Sequence, residues 1–190
     1  MLLSITMWRK RQRPKDESER VITDRERARE RTMNRAVKLL AAKPRSVGEL
    51  RERLLEKNWT DRAIVDAVIE KLSEYKYLND EQFAVDLAVS KLRQRPQGRR
   101  RLKQTLSQKK LDKEIVDQAI VTAFEKIPET ELIDQAIEKR VRLKGIPKTR
   151  YDIKKFYDHL LRRGFSYDLV ATRLREIAKA DPTRNENEVG

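Results

Sequence analysis

The 190-residue sequence contains no cysteine and only one histidine, His159. The absence of cysteine excludes a disulfide framework and a thiolate metal site, and a single histidine excludes a metal cluster built from histidines. Aromatic residues make up 6 % of the chain, which leaves little material for one large core. The apolar run at 2–8 is too short to span a bilayer, and its basic residues follow it, whereas those of a signal peptide precede it. We therefore expect a soluble cytoplasmic protein with no membrane partner.

Residue patterns that support catalysis are also missing. The glycines at 48, 98, 145 and 164 are isolated, so they do not form a phosphate-binding loop. The carboxylates stand beside lysines and arginines at helical spacing, which is typical of a solvated helix face. His159 is expected on a helix surface, and Gly98 is expected to provide a turn conformation or close helix packing. The sequence predicts no enzyme, no metal site and no cofactor.

One helix-start pattern is present three times. A bulky apolar residue stands directly before a helix-capping residue, and an aliphatic residue follows the cap four positions later, as in a hydrophobic staple. The three copies are Trp59-Thr60 with Ile64, Leu111-Asp112 with Val116, and Phe165-Ser166 with Val170. The spacing between copies is 52 and then 54 residues, so the pattern predicts a repeated unit.

Apolar residues outside the helix starts repeat in the same register. Positions nine and five residues before each bulky apolar residue are apolar in every copy: Leu50 and Leu54, Leu102 and Leu106, Phe156 and Leu160. A further helix precedes each pair and is read from Met33, Val37 and Leu40 in the first copy. Pro44, Pro96 and Pro147 are expected to end these preceding helices.

The predicted fold is all-α: an elongated, curved array of three tandem three-helix repeats that resemble helix-turn-helix modules in outline. The repeats are expected at residues 31–77, 78–126 and 129–180, with a capping residue, Asn79, at the start of the second. Residues 1–30 are predicted to be a charged, mobile extension, with a first helix lengthened over residues 28–31 as the alternative at its end, and residues 181–190 a disordered tail. We expect a monomer.

Positive charge is concentrated in two segments. Residues 87–111, the first basic segment, contain nine basic residues and no carboxylate, and residues 139–155, the second basic segment, contain eight basic residues and one carboxylate. Between them, residues 112–138 carry eight acidic and two basic residues. The candidate site residues are Lys91, Arg93, Arg95, Arg99, Arg100, Arg101, Lys103, Lys109, Lys110, Lys139, Arg140, Arg142, Lys144, Lys148 and Arg150.

Each basic segment is centred on a turn after the first helix of a repeat. Equivalent turns of a regular array fall on one side, so the two segments are predicted to form one basic stripe that faces a polyanion or an acidic protein surface. The alternative is a solvated helix face with no ligand. Tyr151, inside the second basic segment, is suited to contact a nucleotide or a partner, unless its ring packs on a neighbouring helix residue. Since 87–111 contain no aromatic residue, binding there is expected to be dominated by the phosphate backbone.

The run Tyr77-Leu78-Asn79-Asp80-Glu81-Gln82-Phe83-Ala84, followed by Arg93, Gly98, Leu102, Leu106 and Ile115, resembles the central motif of the RecX family. The run Leu160-Leu161-Arg162-Arg163-Gly164-Phe165-Ser166 resembles its C-terminal motif, so the resemblance covers about residues 31–178. It implies tandem three-helix repeats that lie in the groove of the RecA–DNA filament. There the protein is expected to restrain the ATP hydrolysis, DNA strand exchange and coprotease activity of RecA. The alternative is a free-standing, backbone-dominated DNA-binding module.

Overall fold

The computed structural model describes residues 20–180, apart from the side chains of 178–180. Over this range the chain is all-α, as predicted, with nine helices and no strand. The predicted tail at 181–190 and the first 19 residues lie outside the described range. The helices are α1 (Arg25–Ala42), α2 (Val47–Leu55), α3 (Arg62–Glu74), α4 (Asp80–Gln94), α5 (Arg99–Ser107), α6 (Lys113–Lys126), α7 (Glu129–Lys144), α8 (Arg150–Arg162) and α9 (Tyr167–Ala180).

The chain divides into two compact units, one ending at Leu78 and the other beginning at Asn79. In the first unit, α1, α2 and α3 pack against one another. Their core contains Leu50 and Leu54, as the repeat predicts, together with Val65, Val68 and Leu72 of α3. Each such side chain contributes about 1.5–3 kcal/mol when fully buried, so these residues make a large contribution to the stability of this small unit.

The second unit contains α4–α6 and α7–α9, and all six helices contribute to one continuous core. The predicted positions Leu102, Leu106, Phe156 and Leu160 are all buried in it. Because the two sets of three helices share this core, the division of residues 78–180 into two separate repeats stays a prediction.

The start of α1 differs from the prediction. Residues 25–30 are helical, so α1 begins three residues before the alternative start at residue 28, and Asp24 caps the helix by accepting from the Arg27 N–H at 2.9 Å. The buried face consists of Ala28, Thr32 and Ala36, whereas Val37 of the predicted stripe is 50 % exposed. These small residues let α1 lie close to the neighbouring helices. The predicted stripe is built from large apolar residues, so it does not include them.

Two predicted helix caps, Ser166 and Asn79, form capping hydrogen bonds, and two others, Asp112 and Thr60, differ from the prediction. Ser166 Oγ accepts from the Leu169 N–H at 3.3 Å, and Asn79 Oδ1 accepts from the Gln82 N–H at 2.9 Å. Asp112 occupies the cap position of α6 but makes no capping hydrogen bond within the described chain. The prolines at 44, 96 and 147 lie two or three residues beyond the ends of α1, α4 and α7, as predicted.

The prediction that Thr60 caps α3 is wrong. Asp61 is the cap, and its Oδ1 accepts from the Ile64 N–H at 2.8 Å. Thr60 is buried, and its Oγ1 lies 3.0 Å from Thr32 Oγ1, so its hydroxyl belongs to a hydrogen bond between α1 and the α2–α3 connection. Threonine and aspartate are both common helix caps. The Thr60 hydroxyl is bonded to Thr32 of α1, and Asp61 caps the helix.

Candidate functional site

Several candidate cations of the first basic segment have packing roles. Arg99 Nε lies 3.2 Å from Glu129 Oε2, and the Arg99 backbone N–H donates to Glu129 Oε1 at 3.0 Å. The Arg99 guanidinium also lies 4.6 Å from the ring centroid of Phe124. Since Gly98 has no side chain to cap α5, the Glu129 carboxylate provides the negative charge that a helix N-terminus favours. Arg99 therefore joins α5 to α6 and α7.

Its neighbours on α5 also have protein partners. Arg101 Nη1 donates to Gln104 Oε1 at 2.8 Å, and Lys103 forms an ion pair with Asp117 of α6. Both residues are exposed, and exposed pairs of this kind contribute at most about 1 kcal/mol, so they leave these side chains available for a stronger ligand.

The turn before α5 packs directly onto the turn between α8 and α9. The Gly98 N–H donates to the Arg163 carbonyl oxygen at 3.0 Å, and the Arg100 N–H donates to the Gly164 carbonyl oxygen at 3.3 Å. A Cβ atom at Gly98 would lie 2.3 Å from the Gly164 carbonyl oxygen. Gly98 thus provides close packing, as predicted, but between two turns of the second unit.

This contact gathers arginines around His159. Arg163 Nε donates to His159 Nε2 at 3.2 Å, and Arg163 Nη1 donates to the Pro96 carbonyl oxygen at 3.0 Å. Arg140 of α7 lies over Phe156 of α8, with its guanidinium carbon 5.3 Å from the ring centroid. We define the arginine cluster as the residues whose charges act on His159: Arg95, Arg140, Arg162 and Arg163.

The cluster affects the titration of its own members. Burial, followed by the positive charges of the four arginines, lowers the pKa of His159 to about 4. Burial, followed by the charges of Arg95 and Arg140, lowers the pKa of Arg163. His159 is therefore neutral at pH 7 and can accept the hydrogen bond from Arg163. It is half-buried, so the expectation of a plain helix-surface residue was wrong.

The second basic segment covers the end of α7, the α7–α8 turn and the start of α8. Arg140 is half-buried, whereas the other candidates in this segment are exposed: Lys139, Arg142, Lys144, Lys148 and Arg150. Tyr151 is also exposed, and Lys155 Nζ lies 4.1 Å from its ring centroid.

One residue of each basic segment, Arg95 and Arg140, thus acts on the same histidine. Arg162 and Arg163 join them but were absent from the predicted set. They stand directly before Gly164 in the C-terminal motif, and that motif is the signal that could have identified them. A single stripe along both basic segments stays a prediction.

Two further kinds of site are absent from residues 20–180. No group of three histidine or carboxylate side chains there could hold a metal ion. No helix in that range is both long enough and apolar enough to traverse a lipid bilayer.

Comparison with known proteins gives consistent matches. The family model described as the first three-helix domain of RecX matches residues 33–72, and the model of the second three-helix domain of RecX matches residues 79–120. The regulatory protein RecX of Thermotoga maritima is 33 % identical over 170 residues, which cover 90 % of this chain and 94 % of that protein. The regulatory protein RecX of Chlorobaculum tepidum is 28 % identical over 155 residues, covering 81 % and 92 % of the two chains.

Solved structures give the same fold. The crystal structure of RecX from Lactobacillus salivarius superposes with a TM-score of 0.72 at 23 % identity, over 80 % of this chain and 98 % of that one. The Thermotoga relative matches this chain over nearly its whole length, and the two RecX domain models match it in chain order. The chain belongs to the RecX family of regulatory proteins.

Proposed function

We propose that the chain binds the filament that RecA forms on DNA and restrains the ATP hydrolysis, strand exchange and coprotease activity of RecA. The observation that carries this proposal is the arginine cluster, in which Arg163 bonds to His159 and to the Pro96 carbonyl oxygen, and the charges of Arg95 and Arg140 act on the same histidine. Guanidinium groups bind phosphate oxygens in a bidentate manner, so such a cluster suits a phosphodiester backbone. Membership of a regulatory family and the resemblance of its motifs support RecA as the partner.

Regulation would follow from a difference in affinity between filament states. A ligand that binds one state more tightly shifts the population towards that state and opposes the rearrangements that hydrolysis and strand exchange require. Phosphate contacts position a protein without reading sequence, so we expect the effect to be independent of DNA sequence.

The test is a titration of RecA-catalysed, single-strand-dependent ATP hydrolysis, with binding to the same DNA measured in parallel without RecA. Inhibition at protein concentrations too low to coat the bare DNA supports action on the filament. Inhibition that appears only when the naked DNA is saturated supports a stand-alone DNA-binding module, and the absence of inhibition overturns the proposal.

A matched pair of charge reversals tests the role of the basic surface. Arg93→Glu with Arg95→Glu should weaken inhibition several-fold, whereas Lys38→Glu with Lys43→Glu should leave it unchanged. All four residues are exposed, both double variants change the net charge equally, and the expected loss of stability is under about 0.5 kcal/mol per site. Arg99 is unsuitable for this test because reversal would place two carboxylates together at Glu129. Full inhibition by the Arg93 and Arg95 variant would contradict a role for this surface.

The alternative function also has a measurable signature. If free DNA binding neutralises about six phosphates of a single strand, the logarithm of the binding constant should fall with a slope near −4 against the logarithm of salt concentration. A flat slope would assign the affinity to protein contacts.

A further inference from the structure

The turn between α7 and α8 exposes large apolar side chains. Leu143 is 66 % exposed, Ile146 is 45 % exposed and Tyr151 is 65 % exposed, and all three lie within nine residues of sequence. Isolated apolar residues on a surface are ordinary, but a group around one turn marks an interaction site.

The same turn is rich in positive charge. The second basic segment has eight basic residues and one acidic residue, Asp152, whose carboxylate accepts from the Thr149 hydroxyl at 2.7 Å at the start of α8. Lys144, Lys148 and Arg150 are exposed beside the apolar side chains.

The turn also has free space around it. Gly145 has a positive φ of 77°, and a Cβ atom there would meet no described atom within 4 Å. Lys155 Nζ lies 4.1 Å above the Tyr151 ring, so it occupies one face of the ring, and the high exposure of Tyr151 leaves the opposite face accessible. The ring therefore has a cation beside it and most of its surface accessible to a ligand.

We propose that the α7–α8 turn binds single-stranded nucleic acid, with a base stacked on the open face of Tyr151 and the surrounding cations on its phosphates. Single strands offer both chemistries at once, because their base faces are accessible, whereas a duplex hides them in its stack. Five of the eight cations are lysines, which protein–protein interfaces contain less often than other surfaces do. The observations therefore favour a nucleic acid over an acidic protein.

This inference deepens the proposed function by naming the ligand of one turn. The experiment below contains no RecA, so its failure is distinguishable from failure of the filament proposal, which the ATPase titration tests.

The experiment measures binding of the full-length protein to fluorescently labelled oligothymidylate and to an abasic strand of equal length, by anisotropy. Tyr151→Ala should weaken binding to oligothymidylate about five- to a hundred-fold, the loss expected when one base–aromatic stack is removed. The same variant should bind the abasic strand as the wild type does, and Tyr151→Phe should retain affinity for both strands.

Tyr75→Ala is the matched control. Tyr75 is 60 % exposed and has Lys71 Nζ 5.8 Å from its ring centroid, but it lies outside both basic segments. Its replacement should leave both affinities unchanged. Equal effects of Tyr151→Ala on the two strands, or no effect on either, would overturn the stacking proposal. Polyglutamate that binds as tightly as oligothymidylate and is equally sensitive to Tyr151→Ala would also overturn it and identify an acidic protein as the occupant.

Discussion

The contact between the α4–α5 turn and the α8–α9 turn gives a sharp prediction for Gly98→Ala. The backbone at Gly98 has an ordinary φ of −85°, so alanine introduces no conformational strain there. The obstacle is space, since the new methyl carbon would lie 2.3 Å from the Gly164 carbonyl oxygen and 2.4 Å from the Phe165 nitrogen. Both atoms belong to the backbone and cannot rotate away.

The magnitude follows from what must move. To reach a normal carbon–oxygen contact distance, the two turns would have to move apart by roughly 1 Å. That movement would stretch the hydrogen bonds between them, now 3.0 Å and 3.3 Å long, beyond bonding distance. Overpacking costs about 1–3 kcal/mol, and each lost hydrogen bond costs about 1 kcal/mol. We expect Gly98→Ala to lower the free energy of unfolding of the second unit by about 3–5 kcal/mol.

Gly145→Ala is the control for this prediction. Gly145 has a φ of 77° and a ψ of 174°, a conformation almost confined to glycine, but a methyl carbon added there would have no described atom within 4 Å, so alanine incurs only a backbone penalty of about 1–3 kcal/mol. Urea unfolding followed by far-ultraviolet circular dichroism measures both variants. If Gly98→Ala costs no more than Gly145→Ala, the close approach of the two turns does not stabilise this unit, and the reasoning is refuted.

Two further predictions concern buried polar groups. Thr32→Val should lower the free energy of unfolding by about 1–3 kcal/mol, measured by urea unfolding, because it leaves the buried Thr60 hydroxyl without its partner at 3.0 Å. The double variant, Thr32→Val with Thr60→Val, should lose less stability than the two single variants added together. Strict additivity would contradict the pairing of the two hydroxyls. The lowered pKa of His159, about 4 against about 6.5 when unfolded, means that the unfolded chain binds a proton in this range that the folded chain does not. Stability should therefore fall as pH drops from about 6.5 towards 4, and His159→Gln should reduce that fall between pH 7 and pH 5, measured as urea midpoints. An unchanged pH dependence would show that burial and the arginine cluster do not lower the pKa of His159.

Much of the architecture could be predicted because it rests on local patterns. Apolar positions at helical spacing identified Leu102, Leu106 and Leu160 as core residues, and all three are buried. Prolines predicted where three helices end, because a proline lacks the N–H that a helix interior needs. The motifs also predicted the family correctly, since their residues stand at fixed spacing along the chain.

The errors arose where a distant partner decides between local alternatives. Thr60 and Asp61 are both residue types that cap helices. The buried hydroxyl of Thr32, 28 residues before Thr60, bonds to the Thr60 hydroxyl, and Asp61 is the cap. The tertiary structure also places the Glu129 carboxylate of α7 against Arg99, a pairing that no local pattern in the sequence indicates, and a ligand-binding role of Arg99 stays a prediction.

Net charge, helical periodicity and the repeated helix starts are properties of the sequence by itself, because each depends on residues a few positions apart. The arginine cluster depends on the tertiary structure, since Arg163 meets the Pro96 carbonyl oxygen across 67 residues of chain. That meeting requires two turns whose backbones approach closely enough for a hydrogen bond, and the absence of a side chain at both Gly98 and Gly164 is the physical reason they can.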